Sequence, residues 1–240
     1  MNNFDIDQIE EDYERDGVVR VRELFSAEQV QEIKDALACY TREIVPQLPE
    51  ADRVYEADGV SVRNLWRIDE HDAYFRELIQ QPFLLEIVSR LVHGEPVSRQ
   101  VETFNKPARI GSAVPWHQDN AYFCQSPPDM LTVWLAIDAA TIENGAIYYV
   151  PGSQHELLPH VPSGVDGNSM GVKDPPDVAL EKQFCGELKP GDALIHHCQT
   201  LHRSEPNSSP NSRLGLLMVF QGAHAQTDPA LKAEYEAARN

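Results

Sequence analysis

PWHQDNAYF at residues 115–123 and GDALIHHCQTLHRSEPNSSPNSR at residues 191–213 decide how this chain reads, because both sit among short runs of strand character. In the first stretch His117 and Asp119 are two residues apart, so on a strand of period two both side chains leave one face and reach one metal ion. The spacing alone is a weak sign, since a structural histidine paired with an acid is spelled the same way. The second stretch offers a distant third donor among His196, His197 and His202, followed by Arg213. Two imidazoles and one carboxylate leave one octahedral face open, which is the donor set of oxygen-activating non-haem Fe(II).

Outward from these segments, residues 97–105 (VSRQVETFN), 131–137 (LTVWLAI), 145–150 (GAIYYV), 184–188, 192–197 (DALIHH) and 214–220 (LGLLMVF) are rich in β-branched and aromatic residues and separated by Gly, Pro and Asn. They predict a mainly β protein with flanking helices, a double-stranded β-helix of jelly-roll or cupin-like type whose mouth is a natural ligand site. The N-terminal third reads as helices that buttress it. Ile6, Ile9 and Tyr13 share a helical face ahead of Gly17. Residues 18–24 alternate as a strand. Ser26 with Gln29 spells a capping box before Val30, Ile33, Leu37 and Ile44, in a helix that ends before Pro46. Further helices are expected from Asp72 and from Pro82 to Gly94. Residues 46–62 read as a loop, and residues 151–180 as a long mobile loop of the kind that serves as a lid. The expectation is one domain over residues 1–240, helical to about 95, jelly-roll from about 96 to 222, with a short tail.

Composition narrows the function. With 240 residues and 42% hydrophobic content the chain can bury one sizeable core. Its 38 acidic against 20 basic residues give a formal charge of −18, which disfavours nucleic acid and anionic membrane surfaces as partners. Cys39, Cys124, Cys185 and Cys198 are scattered without a C-x-x-C and read as reduced thiols. With no apolar leader or membrane-length run, the expected location is cytoplasmic.

WHQDNAYF, LTVWLAIDAATIENGAIYYVPGSQH and GDALIHHCQTLHRSEPNSSPNSR together resemble the phytanoyl-CoA dioxygenase family of Fe(II)- and 2-oxoglutarate-dependent oxygenases, over roughly residues 97–220. The resemblance implies a facial triad of His117, Asp119 and His202. In that family the arginine that binds the far carboxylate of 2-oxoglutarate follows the distal ligand by eleven residues, the separation of Arg213 from His202. His197 is then expected beside the metal without binding it, and Trp134 near the metal. Oxidation of a small molecule by O2 is implied, with release of succinate and CO2. The carboxylate of Asp119 favours hydroxylation over halogenation, because the family's halogenases replace it with a small residue.

Further cosubstrate contacts are expected from Gln100 and Phe104, which share a strand face, and from Ser204. Substrate contacts are expected from Arg63, Asn64, Arg67, Asn120 and Tyr122, although arginines in so acidic a chain also serve as ordinary ion-pair partners. A small polar metabolite or natural-product intermediate is the expected substrate. The alternative is a silent jelly-roll relative that binds metal or ligand without turnover.

Overall fold

The computed structural model describes residues 4–239. Asp5 caps α1 (Ile6–Asp16) by accepting from the Gln8 amide. Gly17 ends it at φ 70°, where a Cβ would lie 2.5 Å from the Thr200 hydroxyl, so glycine answers both the turn and the close approach. β1 (Val18–Val21) follows, and the Ser26–Gln29 capping box opens α2 (Ala27–Glu43). Residues 46–62, expected as a loop, carry β2 (Arg53–Tyr55), which pairs with β3 (Val62–Leu65). Their prolines and acids hid this because they occupy short 3-10 turns, while β2 is brief and lies at a sheet edge. Then come α3 (Ile68–His71), α4 (Ala73–Leu78) capped by Asp72, and α5 (Pro82–Leu91) with proline in its first turn.

The β region runs β4 (Pro96–Lys106), β5 (Val114–His117), a one-turn α6 (Asn120–Phe123), β6 (Gln125–Ser126), β7 (Met130–Ala136) and β8 (Ile147–Tyr149). It continues with β9 (His160–Val165), β10 (Asn168–Val172), β11 (Phe184–Gly186), β12 (Ala193–His197), β13 (His202–Ser204), β14 (Arg213–Gly222), β15 (Gln226–Thr227) and the closing helix α7 (Pro229–Arg239). A seven-stranded sheet is ordered β1, β12, β7, β14, β4, β3, β2, and a four-stranded sheet β11, β8, β13, β5, with antiparallel pairing in both. This is the jelly-roll architecture.

Strand alternation divides the large sheet into two buried faces. Val101, Leu131, Val133, Leu135, Ile195, Leu216 and Met218 join the helical residues Ile33, Phe75, Leu84 and Ile87 in one apolar cluster. Their neighbours of opposite parity, Trp134, Ala136, Leu194 and Leu217, pack with Ile147 and Tyr149 of the small sheet in a second cluster. The site lies on this inner face. The segment 151–180 is more regular than its composition suggests. β9 and β10 pair as a hairpin across Asp166-Gly167, a hairpin-turn dipeptide that supplies the missed signal. All four cysteines are free thiols, and among the described residues no helix is long and apolar enough to cross a membrane.

Candidate active site

β5 ends at His117, and Asp119 has helical dihedrals (φ −63°, ψ −30°) at the N-cap of α6. The two side chains therefore converge because the chain turns from strand into helix, and the expectation that both stand on one strand face is corrected. His202 opens β13 directly opposite His117, with ring centroids 4.0 Å apart. The Nε2 atoms of His117 and His202 both lie 3.6 Å from Asp119 Oδ1, and one donor atom from each of the three residues falls within 4.8 Å of the others. All three are buried.

Hydrogen bonds orient these donors. His117 Nδ1 lies 3.0 Å from the Pro115 carbonyl and His202 Nδ1 lies 2.8 Å from the Thr200 carbonyl. Only an Nδ1–H can serve a carbonyl, so each Nε2 carries its lone pair toward Asp119. Burial pushes both imidazoles below their ordinary pKa, which favours the neutral, metal-binding form. Burial alone would raise the Asp119 carboxyl, but His202, His196 and His117 around it hold it well below the usual range.

The neighbouring histidine is His196 rather than His197, a correction that follows from alternation along β12. Leu194 and His196 face the inner cluster, and His196 Nε2 lies 3.2 Å from Asp119 Oδ2 with Nδ1 3.1 Å from the Tyr149 hydroxyl. His197 points to the other side, where its Nδ1 accepts from the Gln199 amide and its ring centroid lies 6.3 Å from that of Tyr13. Tyr122 donates to Asp119 Oδ1 at 2.6 Å, so both carboxylate oxygens are held.

A chamber of about 60 Å³ adjoins the cluster, lined among others by Phe104, Thr132, Trp134, Ser204 and Arg213. Arg213 is 1% exposed, donates from Nη1 to the Gly145 carbonyl, and stacks 5.0 Å from Trp134 and 5.8 Å from Phe104. Its Nε is buried with no hydrogen-bond partner among the described residues. Burial, aided by Arg63, lowers the guanidinium to about 9. Gly215 makes room for the Trp134 ring, which any Cβ there would strike.

A wider cleft of about 850 Å³ meets the same cluster at His117 and Tyr122 and is walled by Trp66, Arg67, the β9–β10 hairpin and Tyr235 of α7. The expected residues divide between these spaces and the framework. Phe104, Trp134 and Ser204 line the chamber. Gln100 lies on the cleft instead, where its amide donates to Glu102 at 2.6 Å. Arg67 and Tyr122 reach the cleft, with Arg67 also paired to Asp52. Arg63, Asn64 and Asn120 line neither space and are engaged in the framework. The Arg63 guanidinium is buried against Glu56 at 2.9 Å, Asn64 donates to the Thr103 carbonyl, and the Asn120 amide is spent on the Gln125 backbone.

Sequence reasoning missed three residues at the site. Glu102 stands between Gln100 and Phe104 on the same strand face, so parity alone would have found it. Burial and the nearby Asp119 raise its carboxyl to about 8. Gln118 uses its amide to tie Glu156, Leu158 and Gln199 together beneath the cluster. Tyr149 stacks on His202 with centroids 5.4 Å apart.

A jelly roll with a buried two-histidine, one-carboxylate cluster at its ligand cavity defines a metal-dependent oxygenase scaffold. The model of the family "Phytanoyl-CoA dioxygenase (PhyH)" matches residues 13–215, and the chain belongs to that family. It is 31% identical over 229 residues to L-proline trans-4-hydroxylase of Streptomyces griseoviridis, covering 87% of this chain and 83% of that one. Ectoine dioxygenase of Bordetella parapertussis is 25% identical over 240 residues, covering 93% and 77%. Among solved structures, EctD from S. alaskensis with 2-oxoglutarate and 5-hydroxyectoine superposes with a TM-score of 0.78 at 18% identity, over 95% of this chain and 80% of that one. The epimerase SnoN in complex with Fe3+, alpha ketoglutarate and nogalamycin RO gives 0.74 at 22% identity, over 96% and 88%.

Proposed function

We propose that this protein is an Fe(II)- and 2-oxoglutarate-dependent dioxygenase that hydroxylates, or otherwise oxidises, a small polar metabolite. The observation that carries the reading is the buried His117, Asp119 and His202 cluster beside an Arg213 whose Nε has no hydrogen-bond partner among the described residues. The donor set fits a divalent iron, because two neutral imidazoles and one ionised carboxylate converge with their outer atoms, the two Nδ1 and Asp119 Oδ2, already held. The orphaned Nε fits an anion, because a buried guanidinium deprived of one hydrogen bond gains most from a carboxylate that accepts it. The names of the relatives above, proline and ectoine oxygenases among them, support a small-molecule substrate.

In this reading His117, Asp119 and His202 hold the iron, and Arg213 receives the distant carboxylate of 2-oxoglutarate within a wall of Phe104, Trp134 and Ser204. Iron and cosubstrate together supply the oxidising chemistry, in which O2 is consumed, 2-oxoglutarate leaves as succinate and CO2, and a substrate C–H bond is oxidised. The protein's own work is positional. Tyr122 and His196 hold the Asp119 carboxylate in one orientation, Arg213 sets the direction of the cosubstrate, and the aromatic wall keeps water from the reacting face. The 850 Å³ cleft admits the substrate to the same face.

Anaerobic titration of the Fe(II)-loaded protein with 2-oxoglutarate tests this. A weak visible charge-transfer band is expected, and Arg213→Ala should weaken cosubstrate binding about tenfold to a hundredfold, the worth of a charge-assisted hydrogen-bonded pair. Absence of the band with iron bound would overturn the assignment.

A further inference from the structure

The wall shared by the chamber and the cleft contains a carboxyl that the proposed chemistry leaves without employment. Glu102 lies on β4 opposite Leu217 of β14, two residues before Phe104, and is 7% exposed. It lines the chamber together with His117, Asp119 and Tyr122, and the cleft together with Trp66, Gln100 and Tyr122. Its Oε2 accepts from Gln100 at 2.6 Å. Among the described residues no lysine, arginine or histidine forms an ion pair with it, and the charged groups that act on it, Asp119 and Asp69, are both anionic.

A carboxyl so placed is costly. Removing an anion from water is offset only by a cation or by several donors, and the single amide of Gln100 is one donor. A second carboxylate, Asp119, compounds the cost. In the proposed resting assembly the formal charges of iron, Asp119, dianionic 2-oxoglutarate and Arg213 cancel and so offer Glu102 no counter-charge, while Arg67 and Arg203 on the two spaces are paired elsewhere, with Asp52 and Glu205. The lining around it is aromatic, with Phe104, Tyr122, Phe123 and Trp66 on the two spaces it borders, and ring faces attract cations. A buried carboxyl bordered by aromatic side chains, open to a substrate-sized cleft and without an ion-pair partner among the described residues, is a receptor for an ammonium group that replaces its proton.

We propose that Glu102 is the specificity-determining anchor for a protonated amine, and that the substrate is a small amine-bearing metabolite held with its ammonium on Glu102 and the carbon to be oxidised toward the metal cluster. This rests on the functional reading above and deepens it by naming the substrate's chemical class. Tyr122 bridges the two halves of the site, since its hydroxyl holds Asp119 while its ring borders the ammonium position.

The test uses a matched pair of probes, piperidine, which is cationic at neutral pH, and tetrahydropyran, its neutral isostere. Each is titrated by ligand-observed NMR into metal-stripped protein and into protein loaded anaerobically with Fe(II) and 2-oxoglutarate. Wild type should bind piperidinium and not tetrahydropyran, and Glu102→Gln, which keeps size and the contact with Gln100, should weaken piperidinium binding about tenfold or more. Glu102→Asp keeps the charge and should retain the preference for the cation, and a melting curve accompanies each variant. Equal binding of both probes, no binding of piperidinium, or an unchanged affinity in a folded Glu102→Gln variant would overturn the proposal. The chelate band of the loaded sample reports separately on the functional reading, because the stripped-protein arm needs neither iron nor cosubstrate.

Discussion

At the scale of the residue, the site is a matter of which way each imidazole points. His196 and His197 are adjacent, yet alternation along β12 sends His196 to Asp119 and His197 to the helical side near Tyr13. His197 is half-buried, and desolvation lowers it to about 4, so at neutral pH it is an uncharged packing group whose Nδ1 receives the Gln199 amide. His202, in contrast, aims Nε2 at the carboxylate with Nδ1 committed to Thr200. His202→Ala should therefore abolish stoichiometric Fe(II) binding, as measured by iron content after anaerobic desalting. His197→Ala should keep its iron and instead lose about 1–3 kcal/mol of stability in urea, from the cavity and the unpaired amide. Iron lost from the His197 variant and retained by the His202 variant would refute the ligand set. The choice of His202 rests on its separation from Arg213, whereas the expectation for His197 rests on the family resemblance; alternation along β12 requires that one of the pair face the metal side, and that one is His196.

At the scale of the element, the legible features were those whose signals are local. The Ser26–Gln29 box, the stop at Gly17 and the proline start of α5 each satisfy backbone groups within a turn, so their residues name them directly. Features set by the pairing of one segment with another, or by a bend, were hidden even where the partners are near in sequence. β2 is three residues long and exists because β3 pairs with it, and Asp119 reaches His117 through a bend that no periodicity encodes. Arg63 shows the same limit, since its partner Glu56 lies across the β2–β3 hairpin and both side chains are almost wholly buried. Glu56 also accepts from the Ser112 amide and hydroxyl, so this pair fastens the hairpin to the segment leading into β5. Glu56→Ala strands the Arg63 charge and should cost about 3–5 kcal/mol in urea unfolding, whereas Glu56→Leu combined with Arg63→Met should cost less than the single change. A loss below about 1 kcal/mol for Glu56→Ala would show that the pair does not fasten the hairpin.

At the scale of the whole molecule, two buried groups on one strand make opposite demands on protons. Lys106 donates to the carbonyls of Ser112 and Glu205, and burial, reinforced by Arg213 and Arg63 against the weaker pull of Glu56 and Glu205, lowers it to about 6. Glu102, four residues earlier on the same face, is raised to about 8 by burial and by Asp119 and Asp69. Unfolding returns both to ordinary values near 10.4 and 4.3. Between pH 7 and 8 the unfolded chain thus protonates the lysine and ionises the glutamate, while the folded metal-stripped protein largely does the reverse. The two proton counts nearly cancel, and this pair contributes little pH dependence to wild-type stability. Removing either partner exposes the other. In Lys106→Met the folded state holds the extra proton on Glu102, so stability should fall as pH rises, by about 1 kcal/mol per unit. In Glu102→Gln the unfolded state holds the extra proton on Lys106, so stability should rise with pH by a similar amount. Urea unfolding of the three metal-stripped proteins at pH 7.0, 7.5 and 8.0 measures the slopes, and the histidines held below their ordinary values by burial contribute little above pH 7. Parallel curves for all three proteins would mean that neither group carries the shifted proton. Slopes of opposite sign would establish that β4 stores a neutral lysine and a protonated glutamate side by side in the unliganded protein, and that a cation arriving at Glu102 must displace a proton to bind.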